Sequence, residues 1–168
     1  SARTARTRER HSWRVVADRK SLRLLAAAAA PGESEIRHAA CEPHVVELCR
    51  FLTQMGVEVE GAGTPTLRVA GGRRLTGAEH RLQGDYIEAG SWVVAVALTG
   101  GELEVRGARP EHLEPITTVL KRMQVDCEVD DDRLLLRPSS PVGVRQITTA
   151  PWPGFPSDMV SLISVLAT

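Results

Sequence analysis

Laid on itself at an offset of about 68 residues, the sequence falls into register, and repetition of this kind constrains the fold more than any single motif. His44 meets His112, Val45 meets Leu113, Leu48 meets Ile116, Leu52 meets Leu120, Met55 meets Met123, Val57 meets Val125, Glu60 meets Glu128 and Leu67 meets Leu135. Chance produces matches at some offset in any α+β chain, but not in this order within one register. A unit of this length with one apolar face cannot close a core alone, so the chain must stack copies of one supersecondary unit.

Within each copy the apolar residues Val45, Leu48, Leu52 and Met55 recur at three- and four-residue spacing, which predicts a helix with one buried face. Glu111 to Met123 repeats the pattern, and Pro43 and Pro110 stand where a helix starts and a missing N–H costs nothing. Two short strands follow each helix: Val57–Glu60 with Thr66–Ala70, and Val125–Val129 with Arg133–Arg137. Gly61-Ala62-Gly63 and Asp130-Asp131-Asp132 separate them as hairpin turns. An Ala- or Val-rich helix (Leu22–Ala30, Ser91–Thr99) and a strand (Ser34–His38, Glu102–Arg106) precede each, so the unit reads helix, strand, helix, strand, strand. This is an α+β architecture. A third copy is expected after Pro138, with a strand at Val144–Thr148 and a helix opening near Ser157.

The polar, Gly- and Arg-rich stretch from Gly71 to Tyr86 joins the units, with a boundary expected near Gln83 to Asp85. Residues 21–83 then form the end of one domain and 84–168 the start of another. Residues 1–20 form a basic arm, read as solvated or disordered because its arginines lack the interleaved aromatics that would stack bases.

Net charge is zero over 168 residues, so no global field draws the chain to nucleic acid or to an anionic membrane. The run Leu24–Pro31 is far shorter than the roughly 20 residues of a spanning helix, and no signal peptide precedes it. Cys41, Cys49 and Cys127 have no metal-ligand spacing and are read as reduced, structural thiols in a cytoplasmic protein without metal or organic cofactor. Ser1 is no initiator methionine and Thr168 falls within an apolar, helix-like stretch, so an internal piece of a longer chain is expected.

Three segments then carry a resemblance. His38-Ala39-Ala40-Cys41-Glu42-Pro43 is similar to the Asn-Ala-Ala-Arg-Glu-Pro stretch of UDP-N-acetylglucosamine 1-carboxyvinyltransferases. Asp85-Tyr86-Ile87-Glu88-Ala89-Gly90-Ser91 resembles their Asp-x-Ile-Glu-x-Gly-Thr segment. The most specific is Thr149-Ala150-Pro151-Trp152-Pro153-Gly154-Phe155-Pro156-Ser157-Asp158-Met159, which looks like the amino-sugar branch rather than the related 3-phosphoshikimate enolpyruvyl transferases. The resemblance implies two similar domains of three repeats, helices inside and sheets outside. It also implies transfer of the enolpyruvyl group of phosphoenolpyruvate to the C3 hydroxyl of UDP-N-acetylglucosamine in peptidoglycan synthesis.

By the same resemblance Asp158 is the general base, presented by a loop stiffened at Pro151, Pro153 and Pro156. On local sequence alone, Ser157 or Asp158 is as good an N-cap. Glu42 would face the inter-domain cleft, or serve the helix dipole. Trp152 would stack on the nucleotide, or pack beneath its own loop. Gly90 and Ser91 are read as opening a helix whose N–H groups could meet an anion, and Arg19 and Lys20 as partners for a diphosphate. The phosphoenolpyruvate site implied by the family draws on an N-terminal Lys-Asn pair, a loop cysteine and C-terminal arginines. None of these is matched here, so no turnover is expected from this piece without the remainder of the enzyme chain. Two rival readings stay open: a paralogous transferase with another nucleotide or sugar acceptor, and a non-catalytic nucleotide-binding or interaction module.

Overall fold

The computed structural model describes residues 11–12, 20–107 and 109–168. The chain forms two compact units, Ser1–Arg81 and Leu82–Thr168. In the first, β1 (His11–Ser12), α1 (Lys20–Ala29), β2 (Gly32–Arg37), α2 (Pro43–Gln54), β3 (Glu58–Glu60) and β4 (Thr66–Gly71) follow one another. The second runs α3 (Tyr86–Thr99), β5 (Leu103–Arg106), α4 (Pro110–Arg122), β6 (Cys127–Asp130), β7 (Arg133–Leu136), a 3-10 turn (Ser157–Met159) and α5 (Val160–Leu166).

Both units are built on one plan. The last strand lies in the middle of each sheet, in the order β1-β2-β4-β3 in one unit and β5-β7-β6 in the other. It is antiparallel to both of its long neighbours. Its inward residues, Leu67 and Val69 or Leu134 and Leu136, meet the buried face of the following or preceding helices. In α2 that face is Val45, Cys49 and Leu52. In α4 it includes Leu113, Ile116 and Leu120.

Each second helix stops in the same way. Gly56 (φ 97°) and Gln124 (φ 60°) take the left-handed conformation just past the C-caps Met55 and Met123. Gly56 N–H donates to Thr53 O and Val57 N–H to Leu52 O; Gln124 N–H donates to Lys121 O and Val125 N–H to Leu120 O, all at 3.0 Å. These paired bonds are a Schellman stop, completed by the apolar contact of Val57 with Leu52 and of Val125 with Leu120. The carbonyl of the C-cap methionine is then taken by the segment that follows the sheet. Thr76 N–H donates to Met55 O at 3.0 Å, and Val142 N–H to Met123 O at 2.8 Å.

The structure departs from the sequence reading at three places. Helix α3 begins at Tyr86, not Ser91, because the Asp85 carboxylate caps it, accepting from Ile87 N–H at 2.8 Å and Glu88 N–H at 3.4 Å. The expected strand Val144–Thr148 is absent: the segment has no ladder partner beyond an isolated bridge from Thr149 to Phe155. Leu67 corresponds to Leu134 and not to Leu135, since Asp130 and Arg133 pair across a tight turn at Asp131 (φ 45°) while the first hairpin takes a longer way round. A one-residue slip reverses every side chain, and Leu134 is the one buried. The basic arm lies outside the described residues except for Lys20, which opens α1, and His11–Ser12, which pair in parallel with Ser34 and Glu35.

Among the described residues no helix is long and apolar enough to cross a membrane, and no group of three or more His, Cys, Asp or Glu could hold a metal ion. Burial pushes the thiol of Cys49 up from its ordinary value, and burial, aided by Asp126, does the same for Cys127. Cys41 is half-buried. Ellman's reagent is therefore expected to titrate Cys41 rapidly in the native chain and the other two thiols only after denaturation. At the helix stops, Gln124→Gly relieves left-handed strain and is expected to stabilise by about 0.5–1 kcal/mol, whereas Gly56→Ala loses about 1 kcal/mol. No atom lies within 4 Å of a Cβ built on Gly56, so that loss is backbone strain alone. Urea midpoints shifting in opposite directions with unchanged slopes would verify the pair.

Candidate functional site

Three prolines and a glycine between residues 151 and 156 leave the chain few ways to run, and it folds back on itself. Gly154 N–H donates to Pro151 O at 2.8 Å, Ala150 N–H to Phe155 O at 3.2 Å, and Thr149 bridges Phe155. The 3-10 turn follows directly. Phe155 and Met159 sink into the core of the second unit, while Ser157 and Asp158 between them are exposed. Neither Ser157 nor Asp158 caps a helix: the turn is entered from Pro156 and α5 from Met159, both without a side-chain cap bond. Among the described residues the Asp158 carboxylate has one partner, the Ser157 hydroxyl donating to Oδ1 at a long 3.5 Å. It faces no cation.

Gly90 and Ser91 do not open a helix. They lie inside α3, where backbone N–H groups bond to the preceding turn, and the Ser91 hydroxyl donates to Ile87 O at 2.7 Å. The donors at the helix start belong to Asp85 instead. What Gly90 provides is a notch: a Cβ there would stand 2.9 Å from both Ile116 Cδ1 and Met159 Cε, and 3.3 Å from Met159 Sδ. Met159, fully buried and next in sequence to Asp158, thus lies across the bare backbone of α3.

Trp152 is packed against its own domain. Its ring meets Tyr86 edge-on at 5.3 Å and His112 at 6.2 Å, each ring in T-shaped geometry. Tyr86 and His112 are site neighbours that sequence reasoning missed. The Asp-x-x-Glu spacing of Asp85 and Glu88, a helix-start signature, would have placed Tyr86 in the first turn of α3.

Glu42 belongs to the first unit. It is the extended N-cap of α2, offers its backbone carbonyl to Val45 and Val46, and makes no side-chain cap bond. Its charge stands where the helix dipole favours an anion. Arg19 lies outside the described residues, and of Lys20 only the backbone position at the start of α1 is described.

Comparison with known proteins adds a second line of observation. The family model EPSP synthase (3-phosphoshikimate 1-carboxyvinyltransferase) matches residues 14–168. The UDP-N-acetylglucosamine 1-carboxyvinyltransferase of Borreliella burgdorferi is 37% identical over 153 residues, covering 86% of this chain and 36% of the relative. UDP-N-acetylglucosamine 1-carboxyvinyltransferase 3 of Caldanaerobacter subterraneus is 42% identical over 143 residues, covering 85% and 34%. The chain therefore spans about a third of the length of these curated relatives. Among solved structures, the enolpyruvyl transferase NikO from Streptomyces tendae superposes with a TM-score of 0.67 at 27% identity, over 85% of this chain and 35% of that one.

The notch at Gly90 gives a direct test. Gly90→Val is expected to destabilise the second unit by about 1–3 kcal/mol through overpacking against Ile116 and Met159. Shortening Met159 to Val in the same chain should recover part of the loss, as read from denaturation midpoints in a double-mutant cycle.

Proposed function

The chain belongs to the EPSP synthase (3-phosphoshikimate 1-carboxyvinyltransferase) family, and from that premise we propose that it is a segment of an enolpyruvyl transferase acting on UDP-N-acetylglucosamine, with Asp158 as its general base. The names of relatives at 37–42% identity support this acceptor. A cytoplasmic place in peptidoglycan synthesis follows from the same reading.

The reaction joins the C3 hydroxyl of the sugar to C2 of phosphoenolpyruvate and then expels inorganic phosphate. A sugar hydroxyl is a weak acid, so its oxygen attacks well only if a base takes the proton as the C–O bond forms. The methylene carbon gains a proton in the addition and loses one when phosphate leaves. The observation that carries the assignment is the state of Asp158: an exposed carboxylate on a short turn, flanked by buried Phe155 and Met159, and in no ion pair among the described residues. Glu42, at the start of α2, is proposed to meet sugar hydroxyls or water, and Arg19 and Lys20 the diphosphate. Phosphoenolpyruvate is proposed to be held by the remainder of the enzyme chain, so the 168-residue piece alone releases no phosphate.

The test is phosphate release in the complete polypeptide that carries this segment. Asp158→Asn keeps the shape and removes the base, and is expected to lower kcat by about 10²–10⁴-fold while UDP-N-acetylglucosamine still binds by calorimetry. Unchanged turnover would remove Asp158 from the chemistry. A higher kcat/KM for another nucleotide or sugar in the same assay would replace the acceptor and keep the base.

A further inference from the structure

We propose that Trp152 is a positioning residue for Asp158, fastening the upstream side of the catalytic turn to the same two helices that fasten its downstream side; the proposal rests on reading Asp158 as the base.

Among the described residues the Asp158 carboxylate has only a long contact to Ser157, so that bonding does not hold it in place. Its position is set by the backbone on either side. Downstream, Met159 is seated on Gly90 of α3 and Ile116 of α4. Upstream, the turn from Pro151 to Gly154 has exposed prolines at Pro151 and Pro153, and Trp152 is the side chain that packs it onto the hydrophobic core. Its seat is Tyr86 of α3 and His112 of α4. Tyr86 precedes Gly90, and His112 precedes Ile116, by one helical turn each, so each pair shares a face of its helix. Trp152 and Met159 therefore rest at successive levels of one α3–α4 seam, and Asp158 is carried, together with the buried Phe155, on the backbone between them. A carboxylate held this way keeps its oxygens open for a substrate hydroxyl.

Removing the upper anchor leaves the core beneath Met159 intact but frees the turn. In the complete enzyme, Trp152→Ala is expected to speed hydrogen exchange at the amides of Gly154 and Met159, bonded to Pro151 O and Pro156 O, by about tenfold or more. Amides in the middle of α3 and α4 should be unaffected. The turnover number should fall by about 10²-fold, the cost of a small misplacement of a reacting group. The calorimetric Kd for UDP-N-acetylglucosamine should stay within about twofold, and Trp152→Phe, which retains an aromatic face against Tyr86, should restore most of kcat. Unchanged exchange in Trp152→Ala would overturn the proposal. So would a weakened Kd with kcat intact, which would make Trp152 a nucleotide contact. If Trp152→Ala turns over fully while Asp158→Asn does not, only the positioning role is lost; full turnover in both removes the base reading and the proposal together.

Discussion

A helix can hand its chain to a strand that packs beneath it only if the backbone reverses within a residue or two, and in both units that reversal is made by the same pair of crossed hydrogen bonds. At Gly56 and Gln124 the chain enters the left-handed region, Val57 and Val125 are swung back against Leu52 and Leu120, and the first strand of the hairpin starts from there. Much of the unit depends on this stop. It sets the direction from which β3 and β6 enter their sheets, and with it which residues of the hairpins face inward. It also frees one helix carbonyl, on Met55 or Met123, which the outgoing connector takes as its anchor. That glycine occupies the strained position in one unit and glutamine in the other is a difference in stability, not in geometry.

The same economy appears in the sheets. Placing the last strand in the middle satisfies both edges of the most apolar strand, Leu67 and Val69 or Leu134 and Leu136, and leaves its two neighbours parallel to each other, joined by a crossover through the second helix. The outward faces carry charge pairs instead. Glu35 is held below its usual carboxylate range by Arg37, with Arg68 adding to the effect, and Arg137 reaches both Glu128 and Asp126. Such exposed pairs keep the sheet surface solvated and contribute little to stability.

What was legible in the sequence was whatever repeats with a period. The second helices, the hairpins and the order of elements follow from the apolar spacing around Val45 and Leu113, because burial of one face dominates local preference there. What was not legible depended on single interactions. The start of α3 is decided by the Asp85 carboxylate, whose effect on Ile87 and Glu88 leaves a mark only in the Asp-x-x-Glu spacing. The run Val144–Thr148 has strand composition, yet a strand is a pairing and not a property of one segment. Gly90 is the clearest case: beside a helix start a glycine suggests an anion site, whereas its use here is set by Met159, far along the chain, coming to rest where a methyl group would stand. The Asp158 turn was legible through its prolines, but the aromatic seat beneath Trp152 was not, because Tyr86 and His112 are brought to it only by tertiary packing.

The turn that carries Asp158 is fixed by apolar packing rather than by charge. The usual means of fixing a carboxylate is a cation or several N–H donors, and both stabilise the charged form and lower its readiness to accept a proton. Glu35 shows the consequence within this chain. At the 3-10 turn the fold fixes the backbone with apolar side chains instead. Phe155 and Met159 are buried in the core and Trp152 is packed against Tyr86 and His112, while the acid between them is left to solvent and to whatever hydroxyl is placed against it. Orientation of the turn is thus supplied by packing. On the proposal that Asp158 is the base, its geometry depends on side chains distant in sequence, which makes the Tyr86–Trp152–His112 seat as relevant to turnover as any polar group near the carboxylate.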